Sequence, residues 1–142
     1  MTKPAQNPSV KTAFNSEHID SATLHLDGSS GLLWLMQTTL EETAAPLTNA
    51  EAVGILKTAQ SLVQWAYEDL AKDQQANGHV WTTVMLWLDG VRGSLSALRY
   101  GYVGECDLPN NRIQIAAIHS LQAVISEALA YVNNYGDEGA AT

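Results

Sequence analysis

Two segments place a histidine two residues before an aspartate. His18-Ile19-Asp20 and His25-Leu26-Asp27 repeat this pattern seven residues apart. An imidazole and a carboxylate can together hold Zn or another divalent ion. The spacing matches no ligand signature, so two unrelated surface histidines are the simpler reading and no metal site is expected. Other chemistry is excluded by absence. The sequence has no G-x-x-x-x-G-K-[ST], G-x-G-x-x-G, H-E-x-x-H or G-x-S-x-G motif. It also lacks the E-x-x-H pair of ferritin-like di-iron bundles. Cys106 is the single cysteine, so no disulfide forms within the chain. It lies between Glu105 and Asp107 and reads as inert, because a nucleophilic thiolate is favoured by cationic neighbours. Carboxylates paired on a core face are not expected. Glu68-Asp69 with Asp73 reads as a solvated group. The expectation is therefore no catalysis and no cofactor.

His119 is the remaining histidine with a chemical reading. On a helix it falls away from the Ile118/Leu121/Ile125 face, so its imidazole is expected to be open to a partner. The run Ala117-Ile118-His119-Ser120-Leu121-Gln122-Ala123 resembles the A-x-H-x-L-K-G segment of histidine phosphotransfer domains, which are acidic four-helix bundles. The resemblance implies His119 as an alternative phosphoacceptor. The sequence departs from that pattern at Gln122, where the family has Lys, and at Ala123, where it has Gly. A basic residue one turn away would steady a phosphate.

The aromatic residues point elsewhere. Trp34 and Trp65 fall off the core faces of their helices, and Leu86 and Tyr100 lie on the back of a third. Large apolar side chains in such places are candidate contact residues, because Trp and Tyr bury much area at low entropic cost. Trp81 and Trp87 read as core or core edge. Beside the core face of the third helix, Thr83, Gly90, Ser94, Ala97 and Gly101 form a strip of small residues. An interior helical Gly costs roughly 1 kcal/mol against Ala, so the strip is expected to be a seam for close packing of another helix.

The elements that carry these residues are helices. Residues 1–28 are Ser-, Thr-, Asn- and Pro-rich and read as a flexible N-terminal arm, with 23–27 as a short extended piece. Ser29 or Ser30 caps a first helix over about 30–44, ended by Pro46. Thr48-Asn49-Ala50-Glu51 is a capping box opening a second helix that stops at Asn77-Gly78. A third covers about 79–102, with Val80 on its core face. The fourth starts at Asp107 or Asn110, carries Ile113 and Tyr135 on a broad apolar face, and ends at Gly136. Residues 29–136 thus form an all-α, antiparallel four-helix bundle, and 137–142 a frayed tail.

Composition narrows the function class. Fifteen Asp and Glu oppose seven Lys and Arg, a net charge of −8 over 142 residues. No Lys/Arg cluster is present, so direct nucleic-acid binding is not expected. Met1–Val10 is polar, and no apolar run of about 18 residues is evident, so the expectation is a cytoplasmic protein with no membrane contact. The leading expectation is a small acidic protein–protein interaction module. It would be an inhibitor, immunity or chaperone-like protein, homo-oligomeric, with a basic partner protein.

Overall fold

The computed structural model describes residues 17–42 and 46–141, with side chains described as far as Asn134. Four helices are formed: α1 (Glu17–Glu41), α2 (Asn49–Asn77), α3 (Thr82–Tyr102) and α4 (Asn111–Ala141). Among the described residues there is no strand.

Local chemistry sets most helix ends. The Thr48 hydroxyl accepts from the Glu51 amide at 3.1 Å, and the Glu51 carboxylate accepts from the Thr48 amide at 2.9 Å. These bonds favour the ionised form and hold the Glu51 carboxyl below its ordinary range. Gly78 closes α2 at φ 75°, a left-handed conformation that glycine adopts without strain. The Asn110 side chain accepts from the Ile113 amide and caps α4.

Residues at alternating intervals of three and four build the core. They are Ile19, Ala22, Leu26, Ser29, Leu33 and Met36 on α1, and Ala52, Leu56, Ala59, Val63, Ala66, Leu70 and Asp73 on α2. Val84, Leu88, Val91 and Leu95 on α3 repeat the spacing, as do Gln114, Ile118, Leu121, Ile125, Ala128 and Val132 on α4. This is the spacing of helices packed nearly parallel or antiparallel at about 20°. α1 packs on α2 and α4, and α3 packs on the same two, so the helices form a ring with α1 and α3 diagonal. Neighbours are antiparallel. His25 of α1 meets Asp69 of α2, and Gly28 lies against Leu62 further back along α2. Trp87 meets Tyr131 and Tyr102 meets Gln114 along α3 and α4.

The structure corrects several sequence expectations. Residues 17–28 are the first half of α1, and Ile19, Ala22 and Leu26 are core. The three-and-four spacing runs through them, so burial of that face outweighs their polar composition. In 23–27, Leu24 is exposed and Leu26 buried because both sit on a helix. Residues 1–16 of the expected arm lie outside the described residues. α4 continues past Gly136 to Ala141, through helix-forming Glu138 and Ala140 with no proline to stop it. The side chain of Tyr135 lies outside the described residues. Val80 and Ile113 are exposed, while the adjacent Trp81 and Gln114 are buried. Residues 111–134 of α4 are long and apolar enough to cross a membrane by length and composition, contrary to the reading of the sequence.

The small-residue seam does not form within the chain. Thr83, Gly90, Ser94 and Ala97 are exposed, and a Cβ added at Gly90 or Gly93 meets nothing within 4 Å. Gly101 alone is closely packed, since a Cβ there would lie 2.6 Å from Leu108. The strip points away from α2 and α4, so no helix of the bundle reaches it. Gly90→Ala and Gly93→Ala should each raise stability by about 0.5–1 kcal/mol in urea unfolding. Gly101→Ala should lower it.

Acid unfolding should report on Glu51. A carboxyl with a lowered folded pKa contributes stability above its unfolded pKa and loses it as pH falls through the folded value. Glu51→Gln should therefore flatten the acidic limb of the stability–pH curve. An unchanged limb would remove Glu51 from the account.

Candidate functional site

Asp73 takes the next core position after Leu70 in the three-and-four series of α2. Its side chain is fully buried. Such a carboxylate is tolerated only if donors replace the water it has lost. Trp81 Nε1 donates to Asp73 Oδ2 at 2.6 Å, and His79 Nδ1 lies 2.7 Å from the same oxygen. Asn77 donates to Oδ1 at 2.7 Å. Gln74 Oε1 accepts from the Trp81 amide at 2.9 Å. His79 and Trp81 belong to the turn between α2 and α3, so the carboxylate gathers that turn onto the end of α2. Trp81 then stacks edge-on against Tyr131 of α4, with ring centroids 6.4 Å apart.

One turn earlier on α2, Asp69 makes a second Asp–His pair. His25 Nδ1 of α1 is 2.8 Å from Asp69 Oδ2, and the His25 ring lies 5.6 Å from Trp65. This contradicts the expectation of a solvated acidic group. Asp69 and Asp73 are buried carboxylates at an interval of four, each matched to an imidazole. Sequence reasoning also missed Gln114, which is buried at the opposite end of the bundle. It accepts from the Tyr102 hydroxyl and donates to the Pro109 carbonyl at 2.7 Å. Burial pushes the Tyr102 hydroxyl above its ordinary pKa.

The pairs do not assemble into a larger centre. Among the described residues, no group of three or more His, Cys, Asp or Glu is placed to hold a metal. His25 turns to Asp69 rather than to Asp27, so the two H-x-D segments do not act together. Cys106 is exposed. His119 is exposed on α4, and the residues one turn away are Ile115, Ala116, Gln122 and Ala123, none of them cationic.

All four aromatic and aliphatic contact candidates are exposed: Trp34 by 59%, Trp65 by 50%, Leu86 by 70% and Tyr100 by 47%. They do not share one surface. Trp34 is on α1, Trp65 is on α2 beside His25, and Leu86 and Tyr100 are on α3, diagonal to α1. Trp81 is core, and Trp87 is half-buried, 6.0 Å from the Tyr131 ring. Leu24 and Leu35 add two exposed leucines to the outer face of α1. Two grooves lie between α2 and α3, and a third lies at the other end of the bundle among Thr39, Glu42, Asn49, Asn111 and Gln114. Between α2 and α3, Arg92 bonds to Asp89 at 2.8 Å and to Gln64, and sits over the Tyr67 ring.

No family model, curated protein or solved structure matches the chain.

Removing the Asp73 carboxylate takes a buried acceptor away from the His79 and Trp81 side chains. Asp73→Ala should therefore cost about 3–5 kcal/mol in urea unfolding. Asp69→Ala should cost much less, because solvent reaches both members of its pair. Equal losses would contradict the role of Asp73 as the hub of the turn.

Proposed function

We propose that this protein is a non-catalytic helical interaction module that binds other protein surfaces through the outer face of α1, a second copy included. One observation carries the reading. Leu24, Gly31, Trp34 and Leu35 all face solvent along α1, at the intervals that place residues on one side of a helix. An ordinary amphipathic helix keeps charged residues there. Here Asp27 is the charge among them, and Trp65 of α2 extends the apolar area on the α2 side. Covering Leu24 and Leu35 would contribute about 1 kcal/mol each, and a Trp somewhat more, so the patch together reaches the scale of a contact hot spot.

Charge supports a basic partner. α1 carries Glu17, Asp20, Asp27 and Glu41 and has no Lys or Arg. Like charges slow encounter and opposite charges speed it. Inhibitor, immunity and chaperone-like roles fit this design, with the bundle as a rigid support for one helix face. The alternative of a phosphotransfer module draws on the exposure of His119. It predicts acid-labile phosphate incorporation that is lost in His119→Gln.

The test is solution mass by light scattering on the native chain, Trp34→Ala and Leu35→Glu. The reading expects a native mass above the 15.3 kDa of one chain at high concentration. Both substitutions should reduce it to one chain without lowering thermal stability. A native mass of one chain throughout would remove self-association. Reduced stability in Trp34→Ala would place that ring in intramolecular packing and sink the reading.

A further inference from the structure

A cleft of about 260 Å³ opens between α2 and α3, lined by Lys57, Gln60, Ser61, Gln64, Trp65 and Arg99. We propose that it binds a small aromatic anion whose ring carries an N–H or amino donor. Each chemical feature of that ligand answers a group in the cleft.

The anion follows from Lys57 and Arg99. The chain has more than twice as many acidic as basic side chains. Even so, neither of these cations forms an ion pair among the described residues. Arg99 sits over the Tyr100 ring but has no carboxylate, whereas Arg92 on the same helix is already engaged by Asp89 and Gln64 as well as by the Tyr67 ring. Two cations without carboxylate partners at one cleft favour a phosphate or carboxylate there. The ring follows from Trp65. Half of this side chain is exposed, and it walls the cleft on one side. A planar ring laid on an indole gains stacking as well as burial. The donor follows from Gln60. Its Oε1 is buried and has no hydrogen-bond partner. A buried acceptor left unmatched costs about 1–3 kcal/mol, and a turn of the Gln60 amide toward the cleft would let a ligand donor recover it. Gln64 is already bonded to Glu68 at 2.7 Å and to Arg92, so Gln60 is the amide left to read the ligand. The volume falls just below the usual range of ligand pockets and suits one ring system with one charged group.

This site shares Trp65 with the apolar area beside α1, but Lys57 and Arg99 lie outside that area, so the two can fail separately. The test uses the full chain with adenosine monophosphate and indole acetate, each of which combines a ring, a donor and an anion. Calorimetry should show saturable binding at millimolar ligand, and Trp fluorescence should be quenched. Inorganic phosphate, which lacks the ring and its donor, and adenosine, which lacks the anion, should each bind at least about tenfold more weakly. Lys57→Ala and Arg99→Ala should each weaken binding about tenfold while leaving the melting temperature unchanged. Trp65→Phe should retain the heat of binding and lose most of the quench. No binding of either probe overturns the proposal. So does binding that is indifferent to both cation substitutions, or a quench that persists in Trp65→Phe.

Discussion

A carboxylate placed where a bundle expects a leucine must bring its own solvent, and Asp73 does so. Desolvation alone would expel it or neutralise it. The donors of Asn77, His79 and Trp81 replace the lost water. Two of those donors belong to the turn between α2 and α3, so satisfying the charge also fixes the path of that turn. Trp81 is thereby drawn fully into the core and presents its edge to Tyr131 of α4. One buried charge thus couples the end of α2, the entry to α3 and the facing side of α4.

The opposite end of the bundle has a gentler version of the same device. Tyr102 of α3 and Gln114 of α4 satisfy each other across the core, and Gln114 also holds the carbonyl of Pro109. Ser29 in the core of α1 returns its hydroxyl to the Leu26 carbonyl. Polar residues therefore occupy core positions on three of the four helices, each with a named acceptor or donor. Matched polar groups favour one register of helices over its neighbours, because a slipped register would leave them unpaired. A rigid bundle of this kind can leave apolar residues outside without losing its fold.

The exposed residues divide by helix. α1 offers leucines and a tryptophan with acidic residues and no cation, and the α2–α3 side gathers Lys57, Arg92 and Arg99. The two sides meet near Trp65, which faces His25 in one direction and the cleft in the other. Protein contact on one side and small-anion contact on the other would then share a single aromatic residue. That arrangement allows each to influence the other through the position of one ring.

Local chemistry alone determined a large part of this structure. The Thr48 capping box, the Gly78 stop and the all-α bundle were legible because caps and helical periodicity act over a few residues. The same periodicity placed Trp34, Trp65, Leu86 and Tyr100 off the core faces, but whether a neighbour covered them was decided by the tertiary structure. The series from Ala52 to Leu70 also continues to Asp73, a signal present in the spacing but hidden by residue type. Only the tertiary structure decided the rest. Residues 17–28 became helix because their apolar side could be buried against α2 and α4, which their polar composition does not announce. Asp69 and Asp73 became core residues because His25 and His79, distant or beyond a turn in sequence, arrived to match them. The small residues of α3 remained at the surface because the ring of helices closed on its other side. Periodicity states which side of a helix is apolar, but partners brought by folding determine whether a charge can be buried and which face is covered.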